Sequence, residues 1–344
     1  MSRALERLWY GGAPTPAWLR PLLGAGEAVY AAGVAARNAL FDRGWLSSGR
    51  PAGAHIISVG NLHAGGMGKT PVVCFLARQL LGQGLRVAVL TRGHGRVATE
   101  DVSFDARALP TAERVGDEPR LLAQRCPGLT LYVGRDRRSL AFRAREEGAE
   151  VLLLDDGFQH RRLARGVDIV VADEAAGFGG GALLPRGPLR EPPRALTRAH
   201  LVWWFAGEGT EPELPPGVSV PMVRARRGLS AVRTPQGATA PALVLAGQAV
   251  VLLSGIARPE RVERALRGAG ADVRGTAFHA DHHRFTAPEL AEAQALAARE
   301  GAWLVTTEKD AQRLPDGAAH VLVEEVELLE GQSALGAALA RAGL

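Results

Sequence analysis

The sequence predicts an α/β protein: a mostly parallel sheet with helices on both faces, followed by a second, smaller α/β unit. Two observations carry this expectation. Apolar runs without alternation, at Ile56-Ile57-Ser58-Val59, Val87-Ala88-Val89-Leu90, Val151-Leu152-Leu153-Leu154 and Ile169-Val170-Val171-Ala172, are separated by helical stretches, as in parallel strands buried on both faces. The first run is followed by a glycine-rich turn that closes on Lys69 and Thr70, and Val72-Val73-Cys74-Phe75-Leu76-Ala77 then begins a helix. Strand, glycine turn and helix in that order form a phosphate cradle, so the sheet is expected to be of the P-loop type.

The first fifty residues hold six arginines against three acids, together with Leu5, Leu8, Trp9, Tyr10, Trp18, Leu19, Leu22, Leu23, Val29, Tyr30 and Trp45. Bulky apolar groups and arginines on short helices suit a surface that lies on a membrane. A pair of helices packed on the protein's own sheet fits the same residues, and the sequence leaves both readings open.

In the cradle, Gly65, Gly66, Met67, Gly68, Lys69 and Thr70 are the candidate nucleotide-binding residues. The glycines let backbone N–H groups converge on phosphates, and Thr70 would offer its hydroxyl to Mg²⁺. The strict eight-residue motif is not met, because His63 stands where its first glycine belongs. Of the 41 basic residues only two are lysines, Lys69 and Lys309. A compact ammonium on a flexible stem reaches into a tight loop where the wide guanidinium fork does not.

Asp155 and Asp156 end the strand that begins at Val151. Adjacent carboxylates there are costly without a cation, which makes them candidate Mg²⁺ ligands, although Asp-Asp-Gly is also an ordinary strand-to-turn sequence. Asp117 opens an apolar helix and has two readings, a helix cap or the base of a phosphoryl transfer; the residues alone favour the cap. Between about 206 and 240 the pattern degrades into Gly, Pro, Glu and Arg, which suggests a linker. Beyond it, Val250-Val251-Leu252-Leu253, two helical stretches and Trp303-Leu304-Val305-Thr306-Thr307 make the second α/β unit.

Within that unit His279, Asp281, His282 and His283 fall in five positions. Zinc is one reading, but a single short segment rarely supplies a whole tetrahedral site. A histidine that contacts substrate or serves catalysis fits better, with surface histidines as the plain alternative. Lys309 either begins a solvated loop or faces a phosphate or sugar.

Composition adds bounds. The chain has 344 residues, 47% of them hydrophobic and 22% charged, with a net charge of +5. Few aromatics interleave with the arginines, which argues against nucleic acid as a partner. Cys74 and Cys126 are the only cysteines and read as buried, reduced thiols of a cytoplasmic protein. No run has transmembrane length, and no secretory signal is visible.

Taken in order, Ser58-Val59-Gly60-Asn61-Leu62, Gly65 to Pro71, Gly116-Asp117-Glu118-Pro119, Leu154-Asp155-Asp156-Gly157-Phe158-Gln159-His160, Leu184-Pro185-Arg186-Gly187-Pro188-Leu189-Arg190-Glu191, Asp281-His282-His283 and Thr306-Thr307-Glu308-Lys309-Asp310 resemble the tetraacyldisaccharide 4′-kinase family of lipid A biosynthesis. The resemblance implies transfer of the γ-phosphoryl of ATP, with Mg²⁺, to the 4′-hydroxyl of tetraacyldisaccharide 1-phosphate, giving lipid IVA. By carry-over Asp117 becomes the base and His282 its dyad partner, and Thr70, Asp155, Asp156 and Glu191 become the metal set. It also implies a peripheral enzyme on the cytoplasmic face of the bacterial inner membrane, held there by its N-terminal region, with a lipid substrate and no obligate protein partner. The expected organisation is N-terminal amphipathic helices over 1–45, a kinase core over 46–222, a linker over 223–240 and a smaller α/β domain over 241–344. The rival from another class is a switch or partitioning ATPase, which has no acceptor; a kinase of a soluble sugar or nucleoside is a third reading.

Overall fold

The computed structural model describes residues 9, 15–174, 176–178, 181–206 and 214–344. Helix α1 spans Leu19–Asp42. Strand β1 (His55–Gly60) leads through the glycine turn into α2 (Lys69–Gly82), and β2 (Val87–Thr91) follows. Next come β3 (Val102–Asp105), the short α3 (Ala112–Val115), α4 (Asp117–Arg125), β4 (Thr130–Val133), α5 (Arg137–Glu146), β5 (Val151–Asp155), β6 (Val167–Asp173), β7 (Leu201–Phe205) and β8 (Met222–Arg233). The remainder holds β9 (Thr239–Pro241), β10 (Ala249–Ser254), α6 (Pro259–Gly268), β11 (Asp272–Phe278), α7 (Ala287–Arg299), β12 (Trp303–Thr307), α8 (Glu308–Ala311), β13 (His320–Glu330) and α9 (Gln332–Ala342).

The chain forms two compact units, one of Met1–Arg92, Gly134–Arg226 and Leu328–Leu344, the other of Gly93–Val133 and Arg227–Glu327. In the first, parallel strands run in the order β8-β7-β6-β1-β5-β2. β1 lies at the centre with Ile56, Ile57 and Val59 fully buried, which is why the run shows no alternation. Val59 pairs with Asp155 across the ladder, so the glycine turn and the acidic pair leave the sheet at the same, carboxyl, end. Gly60 is required by packing: a Cβ there would stand 2.5 Å from the Phe158 Cβ and 2.6 Å from its backbone nitrogen.

Helix α1 belongs to the first unit and packs on it, with Leu23 and Phe41 buried and polar contacts beside them. Glu27 accepts from the Leu183 amide at 2.7 Å, the Tyr30 hydroxyl donates to the Arg190 carbonyl at 3.0 Å, and Arg161 donates to Asp42 at 2.6 Å while its guanidinium lies over Phe41. Trp18, Leu22 and Val29 remain 71%, 64% and 76% exposed. The two readings of the N-terminus therefore do not exclude each other, since the helix packs on its own unit and presents an apolar surface. Leu5, Leu8 and Tyr10 lie outside the described residues. No helix among the described residues is long and apolar enough to cross a membrane.

In the second unit β11-β10-β12-β13 are parallel and β3 pairs antiparallel with β4. Val250 and Leu252 of β10 pack with Val262 and Leu266 of α6, whereas Val251 and Leu253 pack with Ala293 and Ala297 of α7, so this sheet also carries a helix on each face. A capping box starts α7: Glu289 N–H donates to Thr286 Oγ1, and the Thr286 amide donates back to the Glu289 carboxylate at 2.8 Å.

The expected linker over 223–240 is instead mostly strand. β8 buries Val223, Ala225 and Val232, and a ladder with β7 and β9 satisfies a backbone that composition alone reads as irregular. Nor do the units follow a single boundary near 240. Residues 93–133 join the second unit, while α9 returns to pack on β1 and β6 of the first, burying Leu335, Ala338 and Leu339.

Candidate active site

The site residues fall into two sets, one in each unit. In the first, β1 ends and the turn delivers Lys69 as the opening residue of α2. Gly68, the residue before it, sits at φ +79°, a left-handed conformation that glycine adopts without the Cβ penalty. No acidic side chain occupies the first turn of α2, so its N-terminal amides and Lys69 present positive potential at one place. Met67 is buried in the turn.

Lys69 Nζ lies 3.5 Å from Asp156 Oδ1, and Arg190 NH1 donates to both Asp156 oxygens at 3.0 and 2.8 Å. Burial pushes this carboxyl up, but Lys69 and Arg190 outweigh it and hold Asp156 far below the usual carboxylate range. Asp156 itself has φ +55°. Its backbone is held by buried Arg137, whose NH1 donates to the Asp155 and Asp156 carbonyls at 3.1 and 2.8 Å. Burial, and next the nearby Arg92, lower Arg137 to about 10. Asp155 is buried and accepts from Thr91 Oγ1 at 3.3 Å. Glu191 is buried too; its Oε2 accepts from Asn38 and Arg198, each at 2.8 Å.

The second unit brings Asp117 and His282 together. His282 Nδ1 and Asp117 Oδ2 are 3.0 Å apart, and Arg313 NH1 approaches the same oxygen at 3.3 Å. The cap reading of Asp117 fails on geometry: Gly116 is the N-cap residue, and the Asp117 side chain makes no capping bond. Arg313 is fixed in turn by an ion pair with buried Asp310, which accepts from Ser254 at 3.0 Å and Thr307 at 2.8 Å. On the other side of the imidazole, Lys309 Nζ lies 3.2 Å from His282 Nε2, 3.2 Å from Asp281 Oδ1 and 3.5 Å from Glu118 Oε1.

Burial works against the Lys309 ammonium, but Glu118 and Asp281 outweigh it and hold the group above the usual lysine range. Burial likewise opposes the Asp281 carboxylate, and the Lys309 ammonium is the largest influence that overcomes it, leaving Asp281 below its ordinary value. His94 meets the His282 ring edge to face at 5.1 Å, and burial pushes it down. His282 occupies φ +58°, a conformation outside the usual range of a non-glycine residue.

His282 stands apart with Asp117, whereas His279, His283 and Glu289 offer ligand atoms within 4.8 Å of one another, a group that could hold a metal ion. His279 and His283 stack at 4.5 Å, and His283 Nε2 meets the Glu289 carboxylate at 2.9 Å, beside the α7 cap and apart from the His282 contacts. Lys309 faces the histidine and its carboxylates, not a solvated loop. Sequence alone does not single out Arg190 or Arg313 as site-forming, and it leaves Arg137, in the stretch Arg135-Asp136-Arg137-Arg138, open between facing phosphates and facing solvent. Arg190 stands next to Glu191 in a recognised motif, but nothing in the spacing marks Arg137 or Arg313.

A parallel sheet with a lysine-threonine glycine turn at the carboxyl end of its central strand, an acidic pair on the neighbouring strand and a carboxylate-histidine pair in the second unit place the chain among the P-loop phosphotransferases. Residues 17–342 match the family model described as tetraacyldisaccharide-1-P 4′-kinase, and the chain belongs to that family. A tetraacyldisaccharide 4′-kinase of Anaeromyxobacter dehalogenans is 45% identical over 361 residues, covering 98% of this chain and 94% of that protein. One from Chromobacterium violaceum is 38% identical, covering 91% and 88%. Among solved structures, LpxK from Aquifex aeolicus in complex with ATP matches with a TM-score of 0.76 at 28% identity, covering 94% of this chain and 98% of that one.

Proposed function

We propose that the protein transfers the γ-phosphoryl group of ATP to the 4′-hydroxyl of tetraacyldisaccharide 1-phosphate. The observation that supports it best is the Asp117–His282 contact at 3.0 Å, in a chain of this family that also carries the Lys69 phosphate loop. Lys69 and the α2 amides bind the β- and γ-phosphates. Asp117 accepts the hydroxyl proton as the acceptor oxygen attacks phosphorus, ADP leaves with the broken P–O electron pair, and the His282 N–H steadies the carboxylate. Because phosphoryl transfer needs little covalent help, most of the acceleration comes from alignment and from neutralising charge on the transferred group.

The oxygen donors Thr70, Asp155, Asp156 and Glu191 suit a hard divalent cation, and Glu191 Oε1 is buried with no hydrogen-bond partner. These residues would hold Mg²⁺, which when bound supplies neutralising charge at the phosphate oxygens. We also assign the protein to the surface of the membrane that holds its lipid substrate, the cytoplasmic face of the bacterial inner membrane. The exposed Trp18, Leu22 and Val29 on α1, with Trp45 just beyond it, support this reading.

The test is to incubate the protein with Mg²⁺, γ-labelled ATP and tetraacyldisaccharide 1-phosphate in detergent micelles and to measure label in the lipid. Label that disappears with Lys69→Ala supports the reading. Phosphate release that ignores the lipid sinks it in favour of a switch ATPase, and transfer to a soluble sugar favours the third reading.

A further inference from the structure

We propose that Lys309 is a positioning residue that keeps His282 neutral, with its single proton on Nδ1 facing Asp117 and its Nε2 lone pair facing the ammonium. The inference rests on the reading of Asp117 and His282 as the catalytic pair. It names how that pair is held ready and what sets its working pH range.

The donor and acceptor inventory decides the protonation. Lys309 carries three donors and no acceptor, so at 3.2 Å from Nε2 it can only donate, and Nε2 must be the unprotonated ring nitrogen. Asp117 Oδ2, 3.0 Å from Nδ1, is an acceptor with the Arg313 guanidinium 3.3 Å away as an ion-pair partner, so the ring's proton lies on Nδ1. An imidazolium would direct an N–H at the ammonium. Around the ring stand Asp117 at Nδ1, Lys309 at Nε2, His94 edge to face at 5.1 Å and Asp281 at 3.7 Å from Nε2; Asp281 alone favours a proton on Nε2, and the ammonium, closer at 3.2 Å and paired with that same carboxylate, opposes it. Glu118 and Asp281 flank Lys309 at 3.5 and 3.2 Å, which keeps the ammonium charged where it stands.

This arrangement has a chemical purpose. A fully protonated imidazole next to Asp117 would pair with it as a cation and weaken it as a base. A neutral imidazole donates one hydrogen bond, orients the carboxylate and leaves its basicity to the acceptor hydroxyl. Lys309 thus excludes the second proton from His282 without itself touching the reacting atoms. Position accounts for it: Lys309 follows Thr307, the cap of α8, at the carboxyl end of β12, and a side chain leaving that turn meets the segment that carries Asp281 and His282.

The experiment is nitrogen NMR of the histidine side chains in the intact chain as a function of pH, with Lys309→Met and Lys309→Arg beside the parent. In the parent, the His282 Nε2 signal should be that of an unprotonated nitrogen at about pH 7. In Lys309→Met, the Nε2 signal should move toward that of a protonated nitrogen at the same pH, and Lys309→Arg should restore the parent behaviour because its charge persists. The acid limb of the kcat profile should move up by about one pH unit or more in the Met variant, as a like charge within a few ångström dictates, with the KM for ATP unchanged. A parent spectrum showing His282 as imidazolium or as the Nε2–H tautomer overturns the proposal, even where neither variant folds. So does a Met variant whose spectrum and pH profile match the parent; Lys309 would then only balance Glu118 and Asp281. The NMR result does not depend on turnover, so failure of the kinase reading and failure of this one are separable.

Discussion

Arg190 grips Asp156 through a single nitrogen, NH1, placed 3.0 and 2.8 Å from the two carboxylate oxygens, and that carboxylate lies 3.5 Å from Lys69. Two cations share one anion. Lys69 therefore has the more distant share of Asp156, and an incoming phosphate can draw it away.

Removing Arg190 leaves Asp156 to Lys69 alone. Arg190→Met is expected to weaken nucleotide binding by about tenfold, roughly 1.4 kcal/mol, because Lys69 becomes harder to withdraw from the aspartate. Calorimetric titration of the protein with ATP measures this. An unchanged affinity would show that Arg190 does not govern the lysine.

Asp117→Asn keeps the shape of the carboxylate and removes the base. Turnover should fall by about a hundredfold or more, in the range of general-base contributions, while ATP affinity stays within twofold or so of the parent. Steady-state kinetics in lipid micelles separates the two effects. A variant that lost affinity but kept kcat would remove Asp117 from the proton-transfer role.

His160 sets a stability limit on the acid side. Burial, followed by the charges of Arg137, Arg165 and Arg92, lowers it to about 3 from an ordinary 6.5. The unfolded chain binds a proton at His160 below pH 6.5 while the folded chain does not, so stability is complete above that value and declines as pH falls from 6.5 toward 3. Urea midpoints measured between about pH 4.5 and 6.5, where most carboxylates are still ionised, should drop with acid in the parent and drop less steeply in His160→Gln. Identical slopes would exclude the burial effect.

The exposed stripe on α1 yields a test that leaves the two site clusters untouched. Trp18→Ser, Leu22→Ser and Val29→Ser combined should reduce sedimentation with anionic lipid vesicles by at least about tenfold, since each apolar side chain transferred from water is worth of the order of 1.5–3 kcal/mol. Undiminished vesicle binding would move the membrane contact elsewhere on the chain.

The parts of the fold legible in the sequence are those where one local pattern settles the outcome. β1, the turn and α2 follow from an unalternating apolar run, clustered glycines and Lys69, and β5 with Asp155 follows from a second buried run. Asp117 beside His282 was not legible from either residue alone: the local pattern at Asp117 favours a cap, and only the order of motifs along the chain pointed to the pair. Arg137 and Arg313 were illegible for a simpler reason. An arginine before an apolar helix or after a short turn looks the same in solvent as it does buried beneath a carboxylate, and the choice is made by distant segments. β8 misled for a related cause, since its buried Val223, Ala225 and Val232 are diluted by arginine and glycine until they resemble a linker.

The chain's two lysines stand in its two site clusters, Lys69 at the phosphate turn and Lys309 against His282. A reagent or modifying enzyme that seeks primary amines therefore meets, apart from the chain's own terminus, no side chain that is not part of a site. Acylation of one such amine erases a charge at the nucleotide and of the other a charge at the histidine, so any acylation beyond that of the terminal amine marks a disabled site, and nucleotide present during the reaction should spare Lys69.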